Sequence, residues 1–270
     1  MVRQYDGKVA IITGAASGLG RALAKELAGR RCHLALVDID APRLAETKQE
    51  LSRPGIVVSA HCSDVGLEQD LERAAAEIEG MHGTVHLLIN NAAVSASASF
   101  LNTSSGHFDH VMRVNFCGVV YCCRIFLPLL LRHGEGQILN ISSCFAWVGY
   151  PRKTAYASSK AAIRAFSESL RWEIADYGVG VTVLYPGPLN TSIVRNGFSD
   201  SADSQEREQE FLRSRGLPLG AVAKRSLDRL RTNPSRIVIG ADYRLMDLLG
   251  RLSPGLASRV TQFTSRRFGF

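Results

Sequence analysis

Tyr156 and Lys160 stand four residues apart in the run Tyr-Ala-Ser-Ser-Lys, and Ser143 lies thirteen residues upstream. Residues at the four-residue spacing share one face of a helix, so the Lys160 ammonium can lie beside the Tyr156 phenol. A free phenol has a pKa near ~10, and a fixed cation beside it favours the phenolate. Bringing that value to ~7 takes roughly 4 kcal/mol of differential interaction. A phenol so tuned exchanges a proton with an alcohol or carbonyl oxygen near neutral pH. A solvated lysine beside a half-buried tyrosine has the same spacing, so the surrounding elements decide what the pair can do.

Those elements alternate. Strand-like segments fall near residues 8–13, 33–38, 56–60, 85–90, 136–141, 180–185 and 236–239, with helix-like segments between them. The alternation predicts an α/β fold, a doubly wound parallel sheet of about seven strands with helices on both faces. The 270 residues suffice for one sizeable core. No repeat or linker divides the chain, which reads as a single domain over 1–240 and an extension over 241–270. A helix over about 154–177 presents Tyr156 and Lys160. The longest apolar stretch, 116–131, is interrupted by Arg124 and Pro128 and is short for a membrane span, so it reads as a buried helix.

The first strand runs into Gly14-Ala15-Ala16-Ser17-Gly18-Leu19-Gly20, and a helical pattern follows. A glycine turn between strand and helix lets the backbone approach a pyrophosphate, which the free N–H groups of the helix start would face. The spacing is G-x-x-x-G-x-G, and a glycine turn alone is often just a tight connection; the strand–turn–helix context supports a phosphate cradle. The next strand ends at Asp38, about 20 residues beyond the turn, where a carboxylate can accept hydrogen bonds from an adenosine ribose. Its charge repels a 2′-phosphate, and Ser17 brings no positive charge to offset that. This favours NAD over NADP, with Arg43 near enough to blur the preference. Alternatively, Asp38 caps the helix beginning near Ala41.

Together these motifs resemble the short-chain dehydrogenase/reductase family over residues 7 to about 240. The turn at 13–20 matches its T-G-x-x-x-G-x-G. Asp64 and Val65 match the pair that holds the adenine, and Asn90-Asn91-Ala92-Ala93 matches N-N-A-G except at the last position, where Ala93 replaces a glycine. Pro186, Gly187 and Thr191 match the segment that contacts the nicotinamide end. The resemblance implies a Rossmann-like fold and a nicotinamide dinucleotide held by Gly14, Ser17, Gly18, Leu19, Gly20, Asp38, Asp64, Val65, Asn91, Ala92, Pro186, Gly187 and Thr191. It implies that Tyr156 exchanges the proton, that Lys160 tunes the phenol and binds the nicotinamide ribose, and that Ser143 rather than Ser142 donates to the reacting oxygen. It assigns Asn115 to a water-mediated proton relay, although alone such a residue would read as structural. It also implies a homodimer or homotetramer, with the 116–131 helix and the Tyr156 helix against a neighbouring subunit.

Composition bounds the alternatives. The formal charge is +7, but Lys and Arg are scattered and no basic run with interleaved aromatics precedes the C-terminus, so nucleic acid is not an expected partner. Six cysteines lack Cys-x-x-Cys pairs or metal spacing, and the seven histidines have no ligand-like partners, so no metal is expected. The cysteines suit a reducing compartment, most as buried apolar residues; Cys144 beside Ser143 can line the substrate pocket with a reactive thiol, but ordinary packing is its more expected role. Lys8 leads directly into the first strand, so no signal peptide is expected, and the location reads as cytoplasmic. No G-x-S-x-G elbow supports a hydrolase.

Residues 192–215, polar with an acidic centre, follow the sixth strand and read as a cover over the substrate or as a solvated loop and helix. Phe145, Trp147, Val148, Tyr150, Leu189, Ile193 and Phe198 can form an apolar pocket for a lipophilic secondary alcohol or ketone, or can belong to the core. In 241–270, Leu245, Met246, Leu248, Leu249 and Leu252 cluster, and Leu256, Val260 and Phe263 recur at helical spacing among Arg251, Arg259, Arg266 and Arg267. Such a segment can lie on an anionic membrane, on its own domain or on a second subunit. The leading expectation is an NAD-dependent alcohol dehydrogenase or carbonyl reductase. The alternatives are a 3-oxoacyl-carrier-protein reductase, against which Asp38 argues, and a cofactor-binding scaffold or sensor with little turnover.

Overall fold

The computed structural model describes residues 2–267, the side chains of Pro254 and of 264–267 excepted, so the Arg266 and Arg267 side chains of the basic tail lie outside the described residues. The strands are β1 (Val9–Thr13), β2 (His33–Asp38), β3 (Val58–Cys62), β4 (Leu87–Asn90), the two-residue β5 (Ala96–Ser97), β6 (Gly136–Ile141), β7 (Val179–Pro186), the two-residue β8 (Phe198–Ser199) and β9 (Arg236–Ile239). Seven form one parallel sheet in the order β3-β2-β1-β4-β6-β7-β9, while β5 and β8 pair separately. The order reverses between β1 and β4, which opens a crevice beyond their C-terminal ends.

The helices are α1 (Gly18–Gly29), α2 (Ala41–Leu51), α3 (Glu68–His82), α4 (Ser105–Met112), α5 (Gly118–Leu131), α6 (Thr154–Glu173), α7 (Ala202–Arg215), α8 (Leu219–Leu230), α9 (Ala241–Leu252) and α10 (Pro254–Arg267). Alternate strand residues feed two cores. Ile12, Leu34 and Leu36 pack with Leu23, Leu27 and Leu227 of α1 and α8, and Ile11, Ala35 and Val37 face Leu71, Phe126 and Ile163 of α3, α5 and α6. Both sheet faces are therefore covered, as a parallel sheet requires.

The expected strands and the Tyr156 helix are present with small differences. β3 sits two residues later than its apolar pattern, and α6 ends at Glu173, followed by a 3₁₀ turn over Ala175–Tyr177. A π-helical turn, Arg113–Cys117, links α4 to α5, and the periodicity gave no sign of it. The 105–131 segment is long and apolar enough to cross a bilayer, but Val119, Cys122, Phe126 and Leu130 are buried against the protein. All six cysteines are free; Cys32, Cys122 and Cys123 are buried, Cys62 is exposed, and Cys117 and Cys144 are intermediate.

Candidate active site

At the C-terminal end of β1 the chain must turn within a space that admits no side chain. Gly14 has φ +66°, and a Cβ there would lie 2.8 Å from Asn91 Nδ2. A Cβ on Gly20 would lie 2.0 Å from the Gly14 carbonyl oxygen, so α1 approaches the turn only with glycine at that position. Asn91 binds the two strand ends together: its side chain donates to the Thr13 and Gly14 carbonyls at 3.0 and 3.2 Å. Thr13 Oγ1 accepts the Asn91 and Ala92 N–H groups at 3.0 and 3.1 Å. Ala93 does not take a positive φ, so the missing glycine costs no backbone strain there. Ser17 starts α1 without a side-chain cap, and the first turn holds no acidic residue. The helix thus offers free N–H groups and its positive dipole end to an anion.

Asp38 accepts the Ala16 N–H at 2.9 Å and the Asp40 N–H at 3.0 Å, so its carboxylate sits at the mouth of the turn. It does not cap α2. Asp40 does, accepting the Arg43 N–H at 3.2 Å. Thr191 reaches over Gly18, where an added Cβ would meet its methyl at 3.3 Å. Gly187 donates to the Ile239 carbonyl at 2.7 Å, fixing the turn after Pro186.

A cavity of about 1380 Å³ runs from this cradle along the strand ends. Apart from Gly20 and Asn115, every dinucleotide and proton-transfer residue named from the sequence bounds it, including Ser143, Tyr156 and Lys160. Gly20 acts behind the wall by letting Gly14 and α1 meet. Asn115, fully buried in the π turn, accepts the Val94 N–H at 2.8 Å and donates to Val94 O at 3.0 Å and Ser159 Oγ at 3.1 Å. Its amide clamps the segment after β4 to α6.

Ser142 and Ser143 separate clearly. The Ser142 hydroxyl is committed to the Lys160 carbonyl at 2.8 Å, whereas Ser143 caps the short turn after β6. Lys160 Nζ donates to the Ile141 carbonyl at 3.0 Å and lies 5.6 Å from the Tyr156 ring centre. Burial holds the Lys160 pKa down, to about 8. Burial likewise pushes the Tyr156 phenol above its ordinary value, with Cys144 and Glu208 adding to the rise and a Ser143 hydrogen bond opposing it. The expected lowering by Lys160 is not what sets the direction; burial does. A buried phenolate loses its hydration, and that outweighs an ammonium held to a carbonyl on the ring's side. Burial also pushes the Cys144 thiol up to about 12, which removes the thiolate that reactivity needs.

The apolar pocket holds five of its seven expected members: Phe145, Val148, Tyr150, Leu189 and Ile193. Trp147 instead packs at a tilt against Tyr185, ring centres 4.5 Å apart, and Phe198 stacks on His107 at 3.7 Å. The 192–215 segment roofs the cavity with Ile193, Phe211 and Leu212. It is pinned beside α6. Lys153 Nζ meets Glu208 at 2.5 Å, both side chains nearly buried, and Arg152 meets Asp200. Sequence reasoning missed Arg152, Lys153 and their partner Ser97; the only signal was two cations just before Tyr156 and an acidic cover with no stated counterpart. It also missed that Tyr243, Met246 and Leu249 of α9 bound the cavity.

A family model described as short chain dehydrogenase matches residues 8–202. The chain is 34% identical over 253 residues to a putative oxidoreductase, SadH, of Mycobacterium tuberculosis, covering 92% of this chain and 91% of that protein. It is 31% identical to dehydrogenase/reductase SDR family member 7B of Bos taurus, covering 96% and 82%. Among solved structures, a short-chain dehydrogenase/reductase from Burkholderia phymatum in complex with NAD aligns with TM-score 0.83 at 28% identity, over 93% of this chain and 96% of that one. An alcohol dehydrogenase from Thermococcus sibiricus complexed with 5-hydroxy-NADP aligns with TM-score 0.75 at 26% identity, over 87% and 97%. The chain belongs to the short-chain dehydrogenase/reductase family. It is an oxidoreductase of that family, and its glycine turn, which admits no Cβ at Gly14 or Gly20, suits the pyrophosphate of a nicotinamide dinucleotide.

Proposed function

We propose that the protein transfers hydride between NAD(H) and a lipophilic secondary alcohol or ketone, with Tyr156 as the acid–base group. The observation that carries this reading is that Ser143, Tyr156 and Lys160 bound one cavity together with the glycine cradle. Gly14, Gly18, the α1 N-terminus, Asp38, Asp64, Val65, Asn91, Ala92 and the Pro186–Thr191 turn would hold the dinucleotide, which supplies the hydride donor or acceptor. Asp38 faces the adenosine end, and its carboxylate disfavours a 2′-phosphate there.

Ser143 holds the substrate oxygen by a hydrogen bond. Tyr156 takes the alcohol proton, or returns it to the ketone, at that oxygen. As the proton leaves, the carbon bearing the hydroxyl becomes a better hydride donor, so the two transfers assist one another. Lys160 supplies positive charge beneath the phenol and binds the nicotinamide ribose. Asn115 braces the Lys160 helix and a proton relay near it. The 192–215 cover closes the cavity, whose aliphatic and aromatic lining excludes water and favours an apolar substrate.

Initial rates with NAD and NADP on a panel of secondary alcohols, beside the Tyr156→Phe variant, test the reading. The variant should lose about 10²–10⁴-fold in kcat while retaining dinucleotide binding. Turnover that persists in Tyr156→Phe would overturn the mechanism. Tight dinucleotide binding without turnover across the panel would favour a scaffold or sensor.

A further inference from the structure

The outer faces of α9 and α10 leave Leu245, Leu248, Leu252, Leu256 and Phe263 between 48% and 75% exposed. In α9, Leu245, Leu248 and Leu252 recur at i, i+3 and i+7, which aligns them in one stripe. Arg244 and Arg251, both exposed, flank it. Leu256, Arg259 and Phe263 repeat the spacing on α10. The opposite faces turn inward, with Met246, Leu249 and Val260 bounding the cavity. Leu245 belongs to both surfaces, being exposed and also bounding the cavity, so it marks a mouth.

We infer that the outer face of α9 and α10 docks on an anionic lipid bilayer, setting the cavity mouth at the membrane surface. Charge selects this occupant over a second copy of the chain. Residues 241–270 contain five arginines against two aspartates. Asp247, nearly buried, is held by Arg236 at 2.6 Å, with Arg251 at its outer edge 4.0 Å away, so Arg244 and Arg259 stand without it. A two-fold pairing would bring two copies of this arginine-bearing face together, whereas anionic headgroups neutralise its charge. The stripe of leucines then enters the headgroup–acyl boundary with its flanking arginines at phosphate level. That the alcohol itself arrives from the bilayer rests on the lipophilic-substrate reading above; the docking does not.

Flotation of the full chain with phosphatidylcholine vesicles, and with phosphatidylcholine–phosphatidylserine vesicles, tests this. Binding to the anionic vesicles should exceed binding to the neutral ones by at least about tenfold, since several arginines contribute roughly fivefold each. Leu248→Asp/Leu252→Asp should cut it by about tenfold or more, and Arg251→Gln/Arg259→Gln by roughly fivefold per arginine. Thermal midpoint and turnover of a short, water-soluble secondary alcohol are followed in parallel and should be unchanged. If the leucine variant does not fold, the exposed arginine pair carries the test. Absence of flotation on anionic vesicles, or flotation equal in wild type and variants, overturns the inference. So does a dimer that the leucine variant dissociates without any vesicle binding, which would give the face to a second copy. Vesicle binding with no alcohol turnover would instead leave the docking standing and count against the proposed reaction.

Discussion

At the glycine turn the parts are held by main-chain atoms: Asn91 on the Thr13 and Gly14 carbonyls, Asp38 on the Ala16 N–H, and Gly20 against the Gly14 carbonyl. At the far end of the cavity, side chains distant in sequence hold the roof, with Lys153 on Glu208 and Arg152 on Asp200. The first arrangement tolerates almost no change of shape, and its polar side chains bond main-chain atoms that are already fixed. The second is a matter of paired charge, and its shape can vary. The glycine turn is thus rigid by sterics, and the roofed end of the cavity is closed by electrostatics that a substitution can undo without disturbing the sheet.

The sharpest test of the steric half is Gly20→Ala. An added Cβ would sit 2.0 Å from the Gly14 carbonyl, and both partners are backbone, so α1 must shift. Overpacking of this kind costs roughly 3 kcal/mol, and the cradle itself moves. Dinucleotide affinity, read by fluorescence titration, should fall about a hundredfold, with a drop in thermal midpoint. An unchanged affinity would mean that the turn is only a connection.

On the electrostatic half, Glu208→Leu should be nearly as costly, for a different reason. It leaves Lys153, only 7% exposed, without its carboxylate. Stranding a buried charge costs about 3 kcal/mol, and pairing the change with Lys153→Met should recover most of it. Denaturant unfolding of the two single variants and the double variant measures the coupling. The comparison predicts that the double variant keeps its dinucleotide affinity while KM for the alcohol rises. No such rescue exists for Gly20→Ala.

The contrast also explains what was legible in the chain. The glycine turn, the strand run into it and the Tyr156–Lys160 spacing are local patterns, so β1, α1 and α6 and the cradle could be read from consecutive residues. Ser143 stands apart from Ser142 through its thirteen-residue spacing to Tyr156 and the resemblance; the structure adds that the Ser142 hydroxyl turns to the Lys160 carbonyl. Lys153–Glu208 joins residues 55 apart, and the π turn at Asn115 has no periodic signature. Trp147 and Phe198 were indistinguishable from pocket residues in sequence, because an aromatic on a core face and one on a cavity wall have the same pattern. The balance between burial and charge at Tyr156 needs the depth of the site, which no spacing contains.

Lys160 lies where the two halves meet, and its pH dependence tests the burial argument directly. Its folded value, about 8, lies below its ordinary 10.5, so the unfolded chain holds more protons between those limits. Stability from this group therefore rises with pH across that window and is fully penalised below it. In Lys160→Met that rise should vanish. The stability difference between wild type and variant should change by on the order of 3 kcal/mol between pH 7.5 and 10.5, from urea unfolding. A flat difference would mean that the ammonium is hydrated in the folded protein, and that desolvation does not set the balance at Tyr156.

The smallest effect discriminates between two neighbouring carboxylates. Asp40 caps α2 through the Arg43 N–H, and Asp38 stands at the cradle on the Ala16 N–H. Asp40→Ala should cost about 1 kcal/mol of stability, the usual loss of an N-cap, and leave the ratio of NAD to NADP turnover unchanged. Asp38→Ala should do the reverse in kind, narrowing the proposed preference for NAD severalfold by removing the charge that would oppose a 2′-phosphate. If Asp40→Ala shifts cofactor preference as much as Asp38→Ala does, through the freed Arg43, then the discrimination belongs to the whole loop after β2. The distinction between a sterically fixed cradle and an electrostatically tuned rim would then have to be drawn inside the dinucleotide site itself.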